Sequence, residues 1–256
     1  MLFGEIQIYP DLNALSKAAA DAFILIALDA IQRKGRFSVA LTGGTTVQSL
    51  YQILASQAFR DRLDWTKGLF YWGDERLVPP DHAESNYGQA NQLFLCRLDI
   101  KPENIFRIRG ELPLSKAVED YRKQLKKNAD EGLDWPCFDL VLLSLGSDGH
   151  IASIFPGEIS EAERTSPVIA IRAEFEGRPA DRVSLTPLVF NSARNIFLLV
   201  AGENKRKAFN RIFSGKGDPA QLPALGIRPR DGRIIWFVDK DAAGLLSQDE
   251  LDKMGT

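Results

Sequence analysis

The sequence is short of histidine, cysteine and methionine, with two of each in 256 residues, and these shortages exclude several classes of function. Cys96 and Cys137 form no CxxC pair and no disulfide framework, which predicts a reduced, cytoplasmic chain. Two distant histidines and two distant cysteines make no zinc site, and no motif asks for a carboxylate-bound Mg²⁺, so no metal is expected. No apolar run approaches the roughly 18 to 20 residues that span a bilayer, and the start MLFGEIQIYPDL lacks a basic stretch leading into an apolar one. Neither a membrane nor a secretory leader is expected. A basic surplus is missing too: 32 Lys+Arg stand against 34 Asp+Glu, a formal net charge of -2. Contact with a nucleic-acid backbone usually needs that surplus, so no nucleic-acid partner is expected. A Walker A loop, a GxGxxG turn and a GxSxG elbow are also absent, which removes the usual signs of nucleotide binding and of an activated serine.

What is present is an ordinary globular composition, 45% apolar and 26% charged, in which short apolar runs alternate with stretches of helical period. The alternation predicts an α/β fold, a mostly parallel sheet with helices on both faces, as one domain over residues 1–256. After the run Glu5 to Tyr9, Asp11 caps a helix with apolar positions at Leu12, Leu15, Ala19, Ala22, Ile26 and Ala30, ending at Gly35. Buried strands are expected at Phe37 to Leu41, Leu69 to Trp72, Phe138 to Leu145, Asn195 to Val200 and Ile234 to Val238. Helices are expected at Thr46 to Ala55, Leu114 to Asn128 and from GENK through Phe213. The segments around Pro79-Pro80 and Glu158 to Pro179 read as loops or insertions, the second with room for a small antiparallel excursion.

Four of these strands run into polar, glycine-rich loops: Thr42-Gly43-Gly44-Thr45, Gly73-Asp74-Glu75-Arg76, Gly146-Ser147-Asp148-Gly149-His150 and Gly202-Glu203-Asn204-Lys205. In open parallel sheets ligands bind beyond the carboxyl ends of the strands, so the loops converge where a site belongs. Two readings fit the first loop: a phosphate cradle built on a helix N-terminus, or a tight turn with Thr46 as N-cap. An imidazole base has to be His82 or His150. His82 lies among Pro, Asp and Glu in an exposed loop, whereas His150 follows an apolar strand with Asp148 two residues before it. His150 therefore reads either as a general base or as a hydrogen-bonded structural histidine. With no activated nucleophile, water is the expected attacker. Arg76 and Lys205 at strand ends, with Arg182 of RVSLT, are candidate anion-binding cations or surface ion-pair partners.

On LTGGTT, WGDERLVPPDHAESNYGQA, FDLVLLSLGSDGHIASIFPG, RVSLTPLVFNSARNIFLLVAGENKRKAF and LPALGIRPRDGRIIWFVD, in that order, the chain resembles the 6-phosphogluconolactonases of the pentose phosphate pathway nearly end to end. The resemblance implies a cytosolic, cofactor-independent esterase that opens 6-phospho-D-glucono-1,5-lactone to 6-phosphogluconate. It also implies a Rossmann-like fold shared with sugar-phosphate isomerases and glucosamine-6-phosphate deaminases. It gives His150 the role of activating water, with Asp148 before it, and makes Arg76 a substrate-contacting arginine with Asp74 lining the same site. Thr42, Gly43, Gly44, Thr45, Thr46, Arg182 and Lys205 match positions that bind the sugar or its phosphate. The partner implied is a small phosphosugar lactone; no protein partner is legible. The family's usual Gly-Gly-Ser-Thr-Pro reads Gly43-Gly44-Thr45-Thr46-Val47 here, Ile151 stands where threonine is commoner, and Ser147 where proline is.

The deaminase branch has a similar Asp-Gly-His-Ile-Ala stretch followed by Phe-Asn-Glu-Pro, whose glutamate assists ring opening. Here the continuation is Ser153-Ile154-Phe155-Pro156. Phe155 transfers no proton, so the sequence favours lactone hydrolysis over deamination; a non-catalytic sugar-phosphate binder is the remaining alternative.

Overall fold

A computed structural model describes residues 4–213 and 217–244. Met1 to Phe3, where no secretory leader is expected from the sequence, lie outside the described residues. The first half of the chain folds as β1 (Glu5–Tyr9), α1 (Leu12–Lys34), β2 (Phe37–Leu41), α2 (Thr45–Leu54), α3 (Gln57–Arg60), β3 (Gly68–Trp72), β4 (Asp74–Arg76), α4 (Asn86–Leu93), β5 (Ile105–Phe106) and α5 (Leu114–Lys127). There follow β6 (Leu140–Ser144), α6 (Glu161–Thr165), β7 (Val168–Arg172), β8 (Asp181–Leu185), α7 (Pro187–Phe190), β9 (Asn195–Val200), α8 (Arg206–Phe213), β10 (Arg233–Asp239) and α9 (Lys240–Ala243). Seven strands form one sheet in the order β1-β10-β9-β6-β2-β3-β5, and every recorded pair in it is parallel.

All five residues of β2 are buried, as are Leu140–Leu143 of β6 and Ile196–Val200 of β9. Successive strand residues point to opposite faces, so helices must cover both sides of the sheet centre. This is the mostly parallel α/β fold expected from the alternation, in the Rossmann-like form that the resemblance implies.

Helix α1 keeps the ends read from sequence. Asp11 Oδ1 accepts from the Ala14 amide at 2.8 Å, and Gly35 closes the helix in the left-handed region at φ 74°, its amide donating to Ile31 O at 2.8 Å.

Two features differ from the sequence reading. GDER is not a loop: after Gly73 the chain continues as β4, which pairs antiparallel with β8, and β8 with β7, in a separate three-stranded sheet. The excursion expected between Glu158 and Pro179 supplies β7, but the sheet is completed by β4, read as a loop, and by β8, to whose RVSL the sequence reading gave no element. Local patterning did not show this, because β4 has three residues and its register, Asp74 opposite Ser184, is non-local. Second, α2 starts at Thr45 with Gly44 as its N-cap, so Thr46 is a second-position helical residue and not the cap.

Candidate active site

The parallel sheet carries the ends of β2, β3, β6 and β9 to one edge, and a cleft opens there between the loops that follow them. Two buried tyrosines fix the floor. Tyr51 Oη on α2 donates to Thr42 O at 2.6 Å, and Tyr121 Oη on α5 donates to Trp72 O at 2.6 Å, each at the point where a strand gives way to a cleft loop.

Thr42, Gly43, Gly44, Thr45 and Thr46 all line the cleft. Gly44 has φ 100°, a conformation open to glycine, and no side chain caps the first turn of α2. The helix N-terminus therefore offers its amides and positive dipole end to the cleft, which is an anion-binding arrangement. Gly43 is glycine for space: a Cβ there would lie 1.8 Å from Asn86 Oδ1. Lys205, on the short turn after β9, enters the same cleft. Burial lowers its ammonium pKa, with the Glu176 and Asp148 carboxylates pulling the other way.

His150 stands on the wall formed by the loop after β6, with a side chain 16% exposed. Its Nδ1 lies 2.6 Å from Asp148 Oδ1, and its backbone amide donates to the same oxygen at 3.0 Å. An ionised Asp148 only accepts, so this contact places the ring proton on Nδ1 and leaves Nε2 as an acceptor. Burial works to raise the Asp148 carboxyl, but the donors on His150 outweigh it and hold it below the ordinary value. Phe155 and Phe175 pack on the imidazole with ring centroids 4.7 Å and 4.9 Å away. His82 is exposed in the loop before α4, and its Nδ1 accepts from the Glu84 amide.

Asp74 lines the cleft across from these groups and is 5% exposed. Of the residues expected at the site, Arg76, Asp148 and Arg182 are not among those that line the cleft. Arg76 and Arg182 face each other across the β4–β8 pair. Arg76 Nη1 is engaged by Glu84, at 2.9 Å to its carbonyl and 3.1 Å to its carboxylate. Arg182 is 3% exposed, with its guanidinium over Phe155 at 5.3 Å, and burial together with Arg76 lowers its pKa. The unforeseen antiparallel sheet sets the two arginines opposite each other, and Asp74, which lines the cleft, is near enough to Arg182 to oppose that lowering.

Cleft residues that the sequence did not single out include Asn86, Phe175, Glu176 and Arg178. Arg178 and Glu176 come from the β7–β8 hairpin, whose approach to the site only the fold reveals. A signal for Asn86 did exist: Ser85 before it is a helix N-cap, its Oγ accepting from the Gly88 amide at 3.0 Å.

The family model for glucosamine-6-phosphate isomerases/6-phosphogluconolactonase matches residues 10–236. A 6-phosphogluconolactonase from a Nostoc strain is 36% identical over 246 residues, 94% of this chain and 98% of that protein. The human 6-phosphogluconolactonase is 38% identical over 218 residues, 84% of this chain and 82% of its own. Among solved structures, a 6-phosphogluconolactonase from Trypanosoma brucei superposes with a TM-score of 0.80 at 29% identity, covering 95% of this chain and 99% of that one.

Proposed function

The chain belongs to the glucosamine-6-phosphate isomerase/6-phosphogluconolactonase family, and from that membership we propose that it hydrolyses 6-phospho-D-glucono-1,5-lactone to 6-phospho-D-gluconate. The observation that carries this reading is an imidazole whose Nδ1 is held by Asp148, leaving Nε2 free to take a proton, in a cleft whose opposite end is an anion cradle. The phosphate docks at the uncapped start of α2 with Lys205, and this sets the lactone carbonyl near His150. Water attacks C1 as its proton passes to Nε2; the tetrahedral intermediate then collapses, the bond from C1 to the ring oxygen breaks, and the imidazolium returns the proton to that oxygen. A positioned base of this kind contributes roughly 10² to 10⁴ in rate. No resident cofactor or metal takes part in this scheme, and the partner is the small-molecule lactone.

The ring packed on the imidazole is Phe155, not a carboxylate, which favours hydrolysis over sugar ring opening and deamination. Cys96 and Cys137 are both free thiols, which supports a reducing, cytoplasmic location.

Proton release from fresh 6-phosphogluconolactone, measured above spontaneous hydrolysis, tests the reading. His150→Asn should reduce kcat by about 10² to 10⁴ with an unchanged circular dichroism spectrum; near wild-type turnover removes the base from the scheme. Ammonia release from glucosamine 6-phosphate under the same conditions would overturn the lactonase assignment. Unphosphorylated gluconolactone should show a lower kcat/KM, because the cradle contacts then stabilise nothing.

A further inference from the structure

Asp74 is a buried carboxylate on the cleft wall whose hydrogen-bond donors are neutral. Ser153 Oγ donates to its Oδ2 at 2.6 Å, and Asn86 Nδ2 donates to its Oδ1 at 3.3 Å and to its carbonyl at 2.9 Å. Burying a carboxylate is costly unless hydrogen bonds fix it, and such arrangements gather at functional sites. The stronger of the two side-chain bonds comes from a residue 79 positions away in sequence.

Ser153 belongs to the same tight turn as His150. Between them Ile151 is fully buried and bridges Leu145 and Ile154, while Ala152 holds φ 48°, an unfavourable value for a residue with a Cβ. The turn thus sends the imidazole into the cleft and the Ser153 hydroxyl inward to Asp74. Ser153 has no exposed surface and does not line the cleft, so it cannot reach a substrate carbonyl as a nucleophile.

We propose that Ser153 is a positioning residue: its hydroxyl locks the Asp74 carboxylate to the turn that carries His150, so that Asp74 presents an oxygen to a hydroxyl of the bound lactone in fixed register with the base. The assignment rests on the lactonase reading of the cleft.

A double-mutant cycle tests it. Rates on 6-phosphogluconolactone are measured for the wild type, Ser153→Ala, Asp74→Asn and the double variant, with thermal unfolding followed in parallel. Loss of a hydrogen bond to a charged group predicts a fall in kcat/KM of about ten- to hundredfold for Ser153→Ala. Asp74→Asn should cost at least as much, and the double variant should match Asp74→Asn within about twofold, because both changes remove one interaction. Ser153→Cys keeps the volume and a weak donor and should lie between wild type and Ser153→Ala. It takes the place of the alanine variant in the cycle if that variant does not fold. Multiplying effects in the double variant, or wild-type kcat/KM in Ser153→Ala, overturn the assignment while leaving the lactonase reading intact. Absence of turnover by the wild type overturns both.

Discussion

Gly146 and Gly44 are glycines for different physical reasons, and both reasons bear on the site. A Cβ at Gly146 would fall 2.1 Å from His150 Nδ1, inside the space of the imidazole. Gly146→Ala therefore has to push the ring off Asp148, and kcat should drop at least about tenfold, since a misplaced general base loses much of its 10² to 10⁴ contribution. Retained secondary structure by circular dichroism alongside unchanged kcat would contradict this. At Gly44 a Cβ would meet nothing within 4 Å, but φ is 100°. The cost of Gly44→Ala is thus conformational, about 1 to 2 kcal/mol, and it falls on the turn that presents the α2 amides. Steric exclusion guards the imidazole, while backbone freedom shapes the turn before α2.

Among the elements, α1 and α2 illustrate two ways of starting a helix. Asp11 caps α1 with its own carboxylate, and no residue of the helix lines the cleft. Asp11→Ala should lower stability by about 1 kcal/mol, read as a lower Tm, with kcat/KM unchanged; an activity loss without a change in Tm would be inconsistent. Helix α2 starts without a side-chain cap, which leaves its donors to a ligand. A reading based on capping preference naturally assigns Thr46 to that missing role. The preference fails here because Gly44, at φ 100°, takes the cap position and the helix begins one residue earlier, at Thr45. Strand β4 was equally hidden: three residues rich in charge do not look like a strand, and their pairing with β8 sets Arg76 opposite Arg182.

For the whole molecule, Glu75 joins the strand that leaves the parallel sheet to the start of α4. Its carboxylate accepts from the amides of Arg76, Asn86 and Tyr87, each at 2.8 Å, and from Ser85 Oγ at 3.0 Å. It is 1% exposed, and burial pushes its pKa from 4.5 up to about 7 in spite of these donors, with Asp74 adding to the rise. A carboxyl that keeps its proton longer in the folded state favours folding at low pH. That contribution is lost as pH rises from about 4.5 to about 7, and is constant above. The loss amounts to about 3 kcal/mol at most. Unfolding by urea between pH 4 and pH 8 should show this decline in the wild type and not in Glu75→Gln; parallel profiles would assign the pH dependence to other groups.

Much of the molecule was written locally. The period of the apolar residues specified strands and helices, Asp11 and Gly35 bounded α1, and the glycine-rich loops pointed to the cleft because a parallel sheet brings its strand ends to one edge. His150 and Asp148 are two residues apart, so their contact was legible as well. The tertiary structure alone decided which charges face a ligand. Lys205 and Arg178 line the cleft, the latter from the hairpin, while Arg76 and Arg182 stand opposite each other on β4 and β8. It also decided that Asp74 meets Ser153, 79 residues on. Periodicity and capping depend on neighbours within a few residues, whereas these contacts depend on non-local strand pairing, whose register no short stretch of sequence encodes.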